Sequence, residues 1–335
     1  MKWFTVTFSL SLFCIGAALA ADGDLQFAEF EQCRLAGGDS ITNCRIGYRT
    51  YGTLNQDRSN AVLMPTWFTG RSEDHFNNDF IGKDKTIDSS KFFVISVDAL
   101  SNGVSSSPSH NSEAEYPDIA ISDMVDSQYR LLTEILDIHQ LHAVVGISMG
   151  GMQTFEWVVR YPNFVDKAVP ITGTPKQTAY DLLLWDTQLK TIQLLGDSEA
   201  GVKIVAGIDG LTLYSPDYVV SNFEPGRFGD FIEPNIVEGS NRGLVDRIPQ
   251  LQAMISHDVT MSFEGEMAPT TDRVKADMLI VVSPTDHMVN PQPSRQFAES
   301  LDTRVIEFDG TCGHVDSFCG RDWLAPMVRD FLAED

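Results

Sequence analysis

Residues 142–153 read HAVVGISMGGMQ: an apolar strand pattern runs into Gly146-Ile147-Ser148-Met149-Gly150, and a helical pattern follows at once. Glycines two before and two after a serine, between a strand and a helix, mark a turn too sharp for side chains at the flanking positions. Such a turn lifts the serine hydroxyl above the carboxyl end of a strand, where the free N–H groups of the following helix also point. A chain that contains it needs a sheet of mostly parallel strands with helices on both faces, and the remaining sequence supplies one. Runs rich in Val and Ile at 61–66, 92–98, 142–147, 167–172, 277–283 and 303–308 lack strict alternation, as strands covered on both faces do. Helical patterns at 120–138, 150–161, 292–301 and 321–333 fall between them, and this alternation predicts an α/β class. Residues 25–34 and 41–51 flank Gly37-Gly38-Asp39 and read as an antiparallel hairpin at the sheet edge.

The rhythm breaks between the strands at 167–172 and 277–283. Helical stretches, clearest at 178–195, carry Tyr180, Trp185, Tyr214, Tyr218, Phe223 and Phe231 there. Residues 176–270 therefore read as a helical cap, or lid, inserted into a core made of 21–175 and 271–335. Trp67, Tyr180, Trp185 and His287 are expected to line a substrate pocket. For each cap aromatic the alternative is packing inside the cap itself.

A serine hydroxyl is a poor nucleophile without a base in hydrogen-bond reach and an acid to orient that base. On this type of fold the three follow in the order Ser, Asp or Glu, His. Only His287 and His314 follow the inserted segment. Asp286 ends the loop after strand 277–283, and His314 lies on the loop after strand 303–308, so both belong to the same edge of the sheet as Ser148. Asp316 competes as the acid, although two residues is an awkward separation for reaching the histidine. His75, His110, His139, His142 and His257 have no comparable placement. The backbone N–H of Met149 is the expected first oxyanion donor, and that of Phe68, on the loop after strand 61–66, the second.

Composition excludes several functions. Lys and Arg total 24 against 47 Asp and Glu, a formal charge of −23, which repels nucleic acid and anionic membrane surfaces alike. Lys2, an apolar run from Phe4 to Ala20 and the small residues Ala18 and Ala20 read as a signal peptide spanning 1–20. The alternative is an uncleaved anchor; after cleavage no membrane span is expected. Export, to the periplasm or beyond, makes disulfides among Cys33, Cys44, Cys312 and Cys319 plausible. Three pairings exist, and the two local ones, Cys33 with Cys44 and Cys312 with Cys319, fit the hairpin and the His314 loop. No metal motif is present, and no cofactor is expected.

Several blocks resemble the homoserine O-acetyltransferase branch of the α/β-hydrolases: YRTYGTLN (48–55), TWFTG (66–70), ISDMVDSQYRLL (121–132), GISMGGMQTFEW (146–157), SPTDHMVNPQPSRQFAESL (283–301) and GHVDSF (313–318). The resemblance implies an α/β-hydrolase fold, a triad of Ser148, Asp286 and His314, Phe68 at the oxyanion loop, and a helical cap that forms a homodimer. Two departures matter. Leu189 aligns with a cap-helix arginine that grips the homoserine carboxylate, and Val315 follows the histidine where the family tends to place an acid. An apolar side chain cannot replace a bidentate cation. The leading expectation is thus an exported serine hydrolase, esterase-like, cleaving an acyl ester through an acyl-serine intermediate. The alternatives are an O-acyltransferase moving an acetyl group from acetyl-CoA to an amino-acid hydroxyl, and a non-catalytic binding protein on the same fold.

Overall fold

The computed structural model describes residues 22–110 and 116–334. The expected signal peptide, residues 1–20, lies outside them. Eight strands form one sheet: β1 (Gln26–Arg34), β2 (Ser40–Tyr51), β3 (Ala61–Pro65), β6 (Phe93–Val97), β7 (Leu141–Ile147), β8 (Val165–Ile171), β9 (Asp277–Val282) and β10 (Arg304–Glu307), while β4 (Ile81–Gly82) and β5 (Ile87–Asp88) pair separately. The order across the sheet is β1-β2-β6-β3-β7-β8-β9-β10. Strands β6 to β10 and β3 run parallel; β1 and β2 are the antiparallel edge, as the hairpin reading requires.

The central strands are buried on both faces, which explains their unbroken apolar runs. In β7 Leu141 and Val144 pack on one side with Met152 and Phe155 of α3 (Met149–Arg160). Ala143, Val145 and Ile147 pack on the other with Leu324, Val328 and Phe331, which belong to the C-terminal helix of residues 321–333. In β1 the buried residues Ala28, Phe30 and Cys33 mark a strand with one wet face. Cys33 is bonded to Cys44 across the hairpin, with Cα atoms 5.6 Å apart. Helix α1 (Ser72–Asn77) follows β3, and α2 (Ile121–Arg130) precedes β7. The helical pattern at 120–138 thus stops short: the last turn, Leu131–Ile135, widens to π geometry and the helix ends there.

Between β8 and β9 stand six helices: α4 (Ala179–Leu195), α5 (Glu199–Leu213), α6 (Pro216–Asn222), α7 (Phe228–Arg242), α8 (Arg247–Ile255) and α9 (Met267–Thr271). Tyr214, Tyr218, Phe223 and Phe231 pack in sequence here, with ring centroids 4.9–5.6 Å apart, so these aromatics form the packing of the inserted helices themselves. After β9 come α10 (Gln292–Leu301), then α11 (Asp316–Cys319) and α12 (Arg321–Ala333).

Glu156 on α3 is half-buried 3.9 Å from Arg160, and desolvation pushes its carboxyl up to about 7 despite that cation. The unfolded chain releases this proton near the ordinary glutamate value, so folding retains a proton between the two and stability falls as pH rises through that window. Glu156→Gln is expected to be neutral near pH 4 and to stabilise by about 2 kcal/mol at pH 8. Thermal melts at both pH values check this; an equal shift at both would contradict it.

Candidate active site

Strand β7 ends in the serine turn. Ser148 has φ 58° and ψ −122°, an unfavourable conformation for a residue with a Cβ. The two glycines make it possible. A Cβ on Gly146 would lie 2.0 Å from the Gly150 carbonyl oxygen, and one on Gly150 would lie 2.5 Å from that of Pro65. The Ser148 N–H donates to the Ile171 carbonyl at 2.9 Å, which ties the turn to β8. Its Oγ is thereby set at the start of α3, within a residue only 8% exposed.

The structure brings Ser148, His314 and Asp286 together. His314 Nε2 lies 2.8 Å from Ser148 Oγ, and Nδ1 lies 2.7 Å from Asp286 Oδ2. The other Asp286 oxygen accepts the N–H groups of Met288 and Val289, both at 2.8 Å. A carboxylate so held leaves Nδ1 as the protonated nitrogen and Nε2 as the free base. Asp316 is occupied elsewhere: it accepts the Ser283 hydroxyl at 2.7 Å and the Cys312 N–H at 2.9 Å. It braces the His314 loop from below, and Cys312 bonded to Cys319 closes that loop covalently. The inserted helices press on it from above. A Cβ on Gly313 would lie 2.6 Å from the Ser215 nitrogen, and Ser215 donates to the Thr311 carbonyl. The start of α4 also reaches the Asp286 loop, because Asp181 accepts the Asn290 N–H at 2.9 Å.

The N–H groups of Phe68 and Met149 donate to no protein acceptor among the described residues. The loop that carries Phe68 is clamped by the inserted helices. Thr69, at φ 61°, donates its N–H to Gln250 Oε1 at 2.9 Å, and its carbonyl accepts from Arg242, which also pairs with Asp74 at 3.0 Å. Gln250 in turn donates to the Leu100 carbonyl at 3.0 Å. The serine-rich loop 101–109 completes the junction: Ser109 donates its N–H and hydroxyl to Asp246, and Ser101 donates to the Asp246 carbonyl.

Above Ser148 lies a cavity of about 160 Å³. Of the four expected pocket residues, Trp67 lines it and three do not. Tyr180 stands half exposed at the first turn of α4. Trp185 is fully buried, bonded to Gln177 at 3.2 Å, and its ring backs Phe68 at 6.1 Å instead of facing the cavity. His287 is half buried but turned off the cavity, and its neighbour Met288 fills that position. Leu189 packs into the core. The cation in the cavity is Arg247, 6% exposed, paired with Asp209 at 2.9 Å and set over the Phe68 ring at 5.6 Å. Asp209 also accepts from Gln188 at 2.7 Å. Arg247, Asp209 and Gln250 lie in helical stretches of unremarkable composition, and no local pattern marks them; only the docking of those helices on the sheet edge assembles them.

A sequence profile of the α/β hydrolase fold matches residues 61–194. A probable esterase of Corynebacterium glutamicum is 40% identical over 342 aligned positions, covering 93% of this chain and 95% of that protein. A homoserine O-acetyltransferase of Geotalea daltonii is 27% identical over 347 positions, covering 89% and 94%. Among solved structures, an acetylester hydrolase from Corynebacterium glutamicum superposes with a TM-score of 0.85 at 27% identity, covering 92% of this chain and 95% of that one.

Proposed function

We propose that this chain, which belongs to the α/β-hydrolase family and to its homoserine O-acetyltransferase-like branch, is an exported serine esterase that cleaves small neutral acyl esters through an acyl-serine intermediate. The observation that carries the reading is the unbroken chain from Ser148 Oγ through His314 to Asp286, at 2.8 and 2.7 Å, beneath a small cavity whose cation is already neutralised. His314 Nε2 takes the hydroxyl proton as Ser148 Oγ attacks the ester carbonyl. The Phe68 and Met149 amides receive the oxyanion, where each such donor contributes about 10²–10³ in rate. The imidazolium, stabilised by Asp286, gives its proton to the departing alcohol. Water then loses a proton to His314 and attacks the acyl-serine, releasing the acid and restoring Ser148.

Cavity size supports a short acyl ester, because about 150 Å³ is what a benzene-sized ligand fills. Charge supports hydrolysis over transfer to an amino acid. Arg247 is held by Asp209, so a substrate carboxylate would have to displace a buried partner. Val315, beside the base, offers no acid to an amine. The disulfides and the apolar run at 4–20 support the periplasm or the exterior as the compartment. Residues 176–270 act as a cap in this reading. Leu183, Leu194, Leu211 and Val220, exposed on these helices, support a homodimer through them.

Purified protein is expected to hydrolyse p-nitrophenyl acetate and to release no CoA from acetyl-CoA with homoserine. CoA release with both present, and none with either alone, would replace the esterase with the acyltransferase. A further expected result concerns the clamp. Gln250→Leu leaves the Thr69 N–H without its acceptor, and we expect kcat to fall about 10- to 100-fold with little change in KM, since the Phe68 donor is displaced rather than deleted. Steady-state kinetics check this; unchanged kcat would show that the loop holds itself.

A further inference from the structure

We infer that the roof of the active-site cavity is a hydroxyl-recognition subsite, so that the alcohol half of the substrate is a small diol or polyol instead of a plain alkanol. The inference rests on the esterase reading and adds the class of leaving group to it. The cavity has two chemically distinct sides. Around Ser148 and His314 the lining is mostly apolar, with Trp67, Met288 and Phe318 beside Thr69; its roof, from α5, α7 and α8, presents Asp209, Asn235, Glu238 and Arg247 beside Leu213. Among the described residues, two roof donors are sealed from solvent without an acceptor: Arg247 Nε and Asn235 Nδ2. An unpaired buried donor is destabilising, and both side chains line the cavity, so an acceptor on the ligand would relieve it.

Charge and valence then narrow the ligand. Each roof carboxylate already faces a guanidinium, Asp209 that of Arg247 at 2.9 Å and Glu238 that of Arg242 at 3.4 Å, so an anionic group finds no free cation there. An ammonium group brings no acceptor and leaves both donors unpaired. A hydroxyl both accepts and donates: it can take a hydrogen bond from Asn235 or Arg247 and give its own proton to Glu238 or Asp209. The cavity of about 160 Å³ leaves room for only a few carbons between the ester oxygen and that hydroxyl.

The test compares 2-hydroxyethyl acetate with n-propyl acetate, which differ only by a hydroxyl in place of a methyl group. In an apolar roof the propyl ester would be the better substrate, because its end group loses no hydration on entry. The inference predicts the opposite: kcat/KM at least about tenfold higher for the hydroxyethyl ester, the worth of one satisfied hydrogen bond. Asn235→Leu, similar in size but without the amide, is expected to reduce that ratio about tenfold. Equal or better turnover of the propyl ester by the native protein overturns the subsite and leaves the esterase standing. A ratio unmoved in Asn235→Leu also overturns it. Turnover of neither ester overturns the esterase reading and the subsite together.

Discussion

Ser148→Ala is expected to lower kcat on acetyl esters by about 10⁴–10⁶-fold, because in the proposed mechanism removing the nucleophile leaves only the oxyanion donors and binding to act. Alanine keeps the Cβ, so the turn at φ 58° bears the same strain and the Gly146 and Gly150 contacts stay as they are. The melting temperature should therefore move little, which separates loss of chemistry from loss of fold. Steady-state rates beside a thermal melt provide the check. Residual activity within tenfold of the native protein would mean that another group performs the attack.

The second large effect assigns the acid. Asp286→Asn is expected to lower kcat by about 10⁴-fold near neutral pH. The substituted side chain keeps an oxygen for the Met288 and Val289 amides but loses the charge that fixes the histidine tautomer. With Nδ1 no longer held as the donor, Nε2 carries the proton and cannot act as base toward Ser148. Asp316→Asn should cost far less, since that carboxylate serves Ser283 and the Cys312 amide and does not reach the imidazole. Rates of the two variants measured side by side decide the matter. Equal losses would return Asp316 to contention as the orienting acid.

The parts that were legible in the sequence share a physical reason. Strands such as β7 and β9 are covered on both faces, so their apolar runs announce them without reference to anything distant. The serine turn is likewise local: two glycines satisfy two steric collisions, with Gly150 and with Pro65, that any side chain would create. Asp286 and His314 could be picked out because parallel strands deliver their following loops to one edge. The helical pattern at 120–138 runs past the observed helix because its apolar periodicity persists through Leu131–Ile135, where the backbone has already opened to π geometry.

The pocket was less legible. Tyr180, Trp185 and His287 carry chemistry suited to a ligand, yet where a side chain on a helix or loop points depends on how that element docks, and that is set by contacts far apart in the chain. Thr69 meets Gln250 across 181 positions, and Ser101 meets Asp246 across 145. No local spacing encodes either pair. The cation of the cavity is Arg247 of α8, already committed to Asp209, so it organises the roof instead of offering a free charge.

The most direct test of the account is where acyl chemistry lands on the protein. Incubation with a fluorophosphonate, followed by digestion and peptide mass analysis, should place one phosphonyl group on the peptide bearing Ser148, and Ser148→Ala or His314→Ala should not be labelled. Ester turnover by a protein whose Ser148 stays unmodified, or modification centred on a different side chain, would contradict the account.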